Sequence, residues 1–113
     1  MNQPPNAVLF PGRFQPLHAG HIEAIRTLLT THTVMVGVFD TPLSSRNPYS
    51  LRQRFDMIRD EFKDDMAECK LGIYRLPWVQ GIVSGRDCGW DHMEVKLAPE
   101  VEAISATEIR KAM

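Results

Sequence analysis

The feature that most constrains this chain is a strand-like run, an amphipathic helix and a second strand-like run, one after another near its start. Residues 7–10 form a short continuous apolar run closed by the turn signal Pro11-Gly12, which predicts a buried strand. Over about 19–31, Ile22, Ile25, Leu28 and Leu29 recur at helical spacing, with the charged Glu23 and Arg26 between them. The run TVMVGVF, Thr33–Phe39, is rich in β-branched residues and does not alternate, as expected of a strand covered on both faces. Strand, helix and strand within about 33 residues make a βαβ unit, and so a parallel pair.

The rest of the chain continues the pattern. DTPLSSRNPYS, residues 40–50, holds two prolines and several turn formers and reads as a loop leaving the second strand. A second amphipathic helix follows on Leu51, Phe55, Ile58 and Phe62. The charges over 52–68 are mixed in sign, the mark of a solvated helix face rather than a binding patch. LGIYRLP and VQGIVSG read as further strands and MEVKL as a last one. In ISATEIRKAM, Ser105 and Glu108 form the S-x-x-E capping box that starts a helix. The expected fold is α/β, with a mainly parallel sheet flanked by helices. With 113 residues, no repeats and no internal linker, one domain over 1–113 is expected.

Composition excludes several classes of function. The net charge is -1, so no broad positive field draws the protein to nucleic acid or a membrane surface, and any bound anion must be held by a local site. Cys69 and Cys88 are far apart and form no CxxC pair, so they read as reduced thiols. No apolar stretch is long enough to span a bilayer, and the N-terminus lacks the basic and apolar pattern of a secretory leader. A cytoplasmic protein is expected.

The candidate site lies where the first strand gives way to the first helix. In a parallel sheet, ligands bind beyond the carboxyl ends of the strands, where the helix N-termini point. GRFQPLHAGH occupies that edge, and ISATEIR opens a helix at the same edge later in the chain. Helix starts present unpaired N–H groups and a partial positive charge. Gly12 and Gly20 allow close backbone approach, and Arg13, His18, His21 and Arg110 add donors. Phosphate is the ligand such a set would take.

On these residues the chain resembles the HxGH nucleotidyltransferase superfamily, and ISATEIR looks like that superfamily's second signature, ISxTxxR. The form GRFQPLHAGH is similar to that of archaeal-type nicotinamide mononucleotide adenylyltransferases, and SSRNPYSLRQR is similar to the same branch's loop and helix start. The resemblance implies a minimal Rossmann-like enzyme that transfers a nucleoside monophosphate, AMP from ATP in the first instance, to a small phosphate monoester and releases pyrophosphate. It implies His18, His21 and Arg110 as catalytic residues. It also implies Gly12, Arg13, Phe14, Gly20, Ser84, Gly85, Arg86, Ile104, Ser105 and Thr107 as nucleotide-binding residues. Arg46 and Arg54 match acceptor-binding arginines, and Trp90 offers a ring for stacking.

Mg²⁺ is expected to be carried mainly by the triphosphate, with no dedicated protein ligands. The expected partners are a nucleoside triphosphate and a phosphorylated acceptor, without nucleic acid or membrane, in a homodimer or higher homo-oligomer. Two alternatives remain open: a cytidylyltransferase using CTP on a polyol or amino-alcohol phosphate, towards which SGRDCGWD leans, and a nucleotide-binding module without turnover. The chain departs from the archaeal branch where only a few residues separate LGIYRLP from GIVSG, and in lacking helices beyond ISATEIRKAM.

Overall fold

A computed structural model describes residues 6–81 and 83. Within them the chain runs β1 (Ala7–Gly12), α1 (Ala19–Leu29), β2 (Thr33–Phe39), α2 (Leu51–Ala67) and β3 (Leu71–Leu76). The three strands form one parallel sheet in the order β1-β2-β3. Ala7 pairs with Thr33 and Gly12 with Val38, while Val34 pairs with Leu71 and Phe39 with Leu76. The shared register brings the carboxyl ends of all three strands to one edge.

Both helices lie on the same face of the sheet. Val34, Val36 and Val38 alternate along β2 and are 0% exposed, joined in one cluster by Ile25 and Leu28 of α1, Ile58 and Phe62 of α2, and Leu71. Two successive parallel crossovers of one hand, running the same way along a sheet, put their helices on one side. The opposite face carries Leu9, Met35 and Tyr74, all exposed. On that face of β2 Met35 is exposed, Phe39 half-buried and Gly37 buried, so the burial on both faces expected from the unbroken apolar run is met only in part among the described residues.

The helix starts follow from local chemistry. Ser50 caps α2: its Oγ accepts from Gln53 N at 3.1 Å, and Gln53 Oε1 accepts from Ser50 N at 2.7 Å. Arg26 of α1 reaches across to α2, its guanidinium 4.7 Å from the centre of the Phe62 ring and 3.4 Å from the Glu61 and Asp65 carboxylates. At the far end Cys69, exposed and free, takes a left-handed conformation (φ 60°) that turns the chain into β3.

Three expected boundaries need correction. β1 does not stop at the Pro11-Gly12 signal but runs through it, with Pro11 opposite Gly37. α1 ends at Leu29, where Thr30 and Thr31 turn back to the carbonyls of Thr27 and Leu28. In VQGIVSG the described residues, 79–81 and 83, are not in a strand. The expected strand MEVKL and helix ISATEIRKAM lie outside the described residues. Among the described residues, no helix is long and apolar enough to cross a membrane.

Candidate active site

The residues of the first loop converge on the N-terminus of α1. His18 is the N-cap, with extended backbone (φ -137°, ψ 176°), and its Nδ1 accepts from Gly20 N at 3.1 Å. His21, three residues on, accepts from His18 N through its own Nδ1 at 3.2 Å. This is a capping box built from two imidazoles, in the place where Ser or Thr and Glu or Gln commonly stand. A ring nitrogen that accepts a hydrogen bond carries no proton, so both neutral imidazoles hold their hydrogen on Nε2. Each becomes an Nε2–H donor.

Burial, and for His21 the neighbouring His18 as well, favours the neutral form of both rings. The rings are stacked, with centroids 3.7 Å apart and planes inclined by 20°. Burial lowers the pKa of His18, while burial and then the nearby His18 push His21 down to about 4. Under them lies Phe14, 1% exposed, its ring centre 4.7 Å from that of His21. Phe14 adopts a positive φ of 51°, unusual for a side chain of this size, and this turns its ring into the core. The first turn of α1 contains no acidic residue, so its partial positive charge is not answered locally.

Beside the histidines, Arg13, Phe14, Gln15 and His21 line a small hollow. Arg13 donates from Nη1 to Asn47 Oδ1 at 3.1 Å, which ties the first loop to the loop after β2. Gly12 ends β1 with its α-carbon against the Phe14 ring, where a Cβ would lie 3.1 Å from the ring carbons. Gly20 is buried in the first turn of α1.

Two of the expected site residues are placed otherwise than the sequence suggests. The Phe14 side chain is a core residue supporting His21, which leaves only its backbone for a nucleotide. Arg54 is 0% exposed. Its Nη1 donates to the carbonyls of Arg13 at 2.8 Å and Phe39 at 2.7 Å, and its Nε donates to Ser50 O at 3.1 Å. Burial lowers its pKa and the Asp40 carboxylate opposes the fall. Arg54 thus clamps the ends of β1 and β2 to the start of α2 instead of presenting itself to an acceptor. Arg46 stands exposed in the loop, with no hydrogen bond or ion pair to another described residue. Ser84, Gly85, Arg86, Trp90, Ile104, Ser105, Thr107 and Arg110 lie outside the described residues.

The structure adds residues that the sequence does not mark. Gln15 and Asn47 link the two loops, and Trp78 packs edge-on against Phe39 with ring centres 5.6 Å apart. Gln15 lies inside the GRFQPLHAGH motif with no role of its own there, because hydrogen bonds between distant loops leave no periodicity in the sequence.

Fold and site together define a class. The sequence profile of the family described as cytidylyltransferase-like matches residues 9–70, from β1 to the turn before β3, and the protein belongs to that family. Among its relatives, the nicotinamide-nucleotide adenylyltransferase of Saccharolobus solfataricus is 30% identical over 101 residues, covering 87% of this chain and 56% of that protein. Nicotinamide-nucleotide adenylyltransferase 1 of Sulfolobus acidocaldarius is 27% identical over 99 residues, covering 85% of this chain and 54% of that protein. A phosphopantetheine adenylyltransferase of Kocuria rhizophila is 35% identical over 57 residues, half of this chain and 36% of its own length. The chain spans little more than half the length of the first two relatives.

Proposed function

We propose that the protein transfers AMP from ATP to a small phosphate monoester, with nicotinamide mononucleotide the leading acceptor, and releases pyrophosphate. The observation that carries this reading is the histidine pair, two neutral Nε2–H donors fixed by the backbone at a helix N-terminus beside Arg13. The names of the archaeal relatives favour adenylyl over cytidylyl transfer.

The chemistry asks little more of the protein. The second ionisation of a phosphate monoester has a pKa of about 6, so near neutral pH the acceptor is already a nucleophile and needs no general base. Its oxygen forms a bond to the α-phosphorus as the bond from that phosphorus to the bridging oxygen breaks, and the electron pair leaves with pyrophosphate. Charge gathers on the leaving side, where donors strengthen their hold as the reaction proceeds. His18 and His21 would supply two such donors and Arg13 a cation. On the motif resemblance, Ser84, Gly85 and Arg86 would line the nucleotide, and Ile104, Ser105, Thr107 and Arg110 would hold the β- and γ-phosphates. Arg46 would meet the acceptor phosphate and Trp90 its ring.

Among the described residues, no group of three His, Cys, Asp or Glu could hold a metal ion. The donor set at the site, imidazoles and a guanidinium, fits a Mg²⁺ that arrives on the triphosphate and neutralises phosphate charge there. Action in the cytoplasm, as a homodimer or higher homo-oligomer, belongs to the same proposal.

The test is pyrophosphate release with Mg²⁺, offering ATP or CTP against a panel of phosphate monoesters that includes nicotinamide mononucleotide, beside a His18→Ala control. Turnover with ATP and nicotinamide mononucleotide that vanishes in the control supports the reading. Turnover with CTP alone replaces it by cytidylyl transfer. A rise in melting temperature with ATP, without turnover of any acceptor, replaces it by a binding module.

A further inference from the structure

The loop over 40–50, between β2 and α2, is tied to the first loop chiefly by one side chain. Gln15, 1% exposed, accepts from Tyr49 N through Oε1 at 2.9 Å and donates from Nε2 to Tyr49 O at 3.0 Å and to Thr41 Oγ1 at 3.1 Å. Taking both backbone groups of one residue is what a neighbouring strand does in an antiparallel pair. Here a side-chain amide does it. The Tyr49 N–H can face only the amide oxygen, so the network fixes which end is which. Both Nε2 hydrogens are used, and no other side chain of this length offers two donors and an acceptor in one plane.

Arg13 adds a second tie, through Asn47. Arg46 stands between the Thr41 and Asn47 attachments, exposed and making no bond to another described residue. The helix cap at Ser50 follows directly after Tyr49, so the loop is held at both ends and across its width.

We propose that Gln15 is a positioning residue for the acceptor. It holds the 40–50 loop, and with it Arg46, where an acceptor phosphate bound there faces the nucleotide held by His18 and His21. The inference rests on the adenylyl-transfer reading above. A loop ordered in the free protein spares the acceptor the entropy of ordering it on binding, and alignment of the two phosphates is most of what the reaction needs.

Two variants test this beside the wild type. Gln15→Glu keeps the acceptor for Tyr49 N but, ionised, sets a negative charge against the Tyr49 carbonyl; protonated, it regains one donor. Gln15→Met keeps the bulk and loses every bond. The expected result is a rise of about tenfold in KM for nicotinamide mononucleotide, with KM for ATP within about twofold of wild type. For the glutamate variant alone, the defect should shrink as the pH falls to about 5.5, because burial favours the protonated acid. Amide hydrogen exchange should quicken over 41–49 in both variants while β2 stays protected. Equal rises in both KM values, or an unchanged acceptor KM, would overturn the positioning role, and unchanged exchange would overturn the latch itself. If the wild type turns over no acceptor, the adenylyl-transfer reading falls and takes the acceptor role with it. The exchange rates still decide whether Gln15 holds the loop.

Discussion

His18 and His21 stack face to face with ring centroids 3.7 Å apart, and each surrenders its Nδ1 to a backbone N–H of the turn they begin. One set of hydrogen bonds starts the helix and fixes the tautomer. Helix capping therefore uses one nitrogen of each ring, and the ligand donation proposed for the pair would use the other without competing.

That division can be taken apart by His18→Asn. Asparagine is among the best N-cap residues, so stability should stay within about 0.5 kcal/mol of wild type. The short amide cannot reach where the imidazole Nε2 reaches, and pyrophosphate release should fall about 100-fold or more. Melting temperature and initial rates measured together check it; a variant near full activity would remove His18 from the donor set.

The lowered pKa of His21 makes stability depend on pH in a stated direction. Folding brings this group from its ordinary value of 6.5 down to about 4. Between those values the unfolded chain binds the extra proton, so this group makes stability rise with pH through that window and adds no slope above it. His18, also lowered, acts in the same direction. Urea midpoints taken from about pH 4.5 to about pH 7.5 should climb and then level, and His21→Asn should flatten the climb. An equal slope in the variant would place the titration elsewhere.

Arg54 should be far more costly to lose than a surface arginine. Its Nη1 serves carbonyls at the ends of both β1 and β2, and hydrogen bonds from a charged donor are each worth roughly 1.5–3 kcal/mol. Arg54→Met should destabilise by about 3 kcal/mol in urea unfolding. Arg54→Lys should recover only part of that, since one ammonium cannot span the Arg13, Phe39 and Ser50 carbonyls as the fork does. A methionine variant as stable as wild type would disprove the clamp.

Two glycines in the sheet make a controlled comparison. A Cβ at Gly12 would meet the buried Phe14 ring at 3.1 Å, and that ring supports His21, so Gly12→Ala should cost about 1 kcal/mol and lower turnover as well. At Gly37 the added carbon would lie too close to the half-buried Leu76, 2.9 Å from its Cγ, on the face of the sheet away from the histidines. Gly37→Ala should lose at least as much stability but leave turnover of the folded protein near wild type. Turnover as high in Gly12→Ala as in Gly37→Ala would show that Phe14 does not transmit to the histidine.

Periodicity and caps make the βαβ unit legible in advance. TVMVGVF is a strand over its full length, and the apolar spacing from Leu51 to Phe62 lies inside α2. The histidine positions are legible too, because a motif keeps its residues adjacent. Arg54 is not, for the opposite reason. An arginine one turn into an exposed-looking helix gives no sign that three carbonyls from separate segments will converge on it. Phe14 is hidden likewise, since its positive φ, and with it the direction of its ring, is set by the packing beneath the loop.

The sequence by itself determined the elements from β1 to β3 and the family, through apolar spacing, β-branched runs and the GRFQPLHAGH signature, all carried by neighbouring residues, while the strand it suggests over VQGIVSG is not one in the described residues there. Only the tertiary structure decided that Arg54 faces inward and that Gln15 joins two loops. Those are contacts between groups far apart in the chain, and their geometry exists only once β1, β2 and α2 have packed.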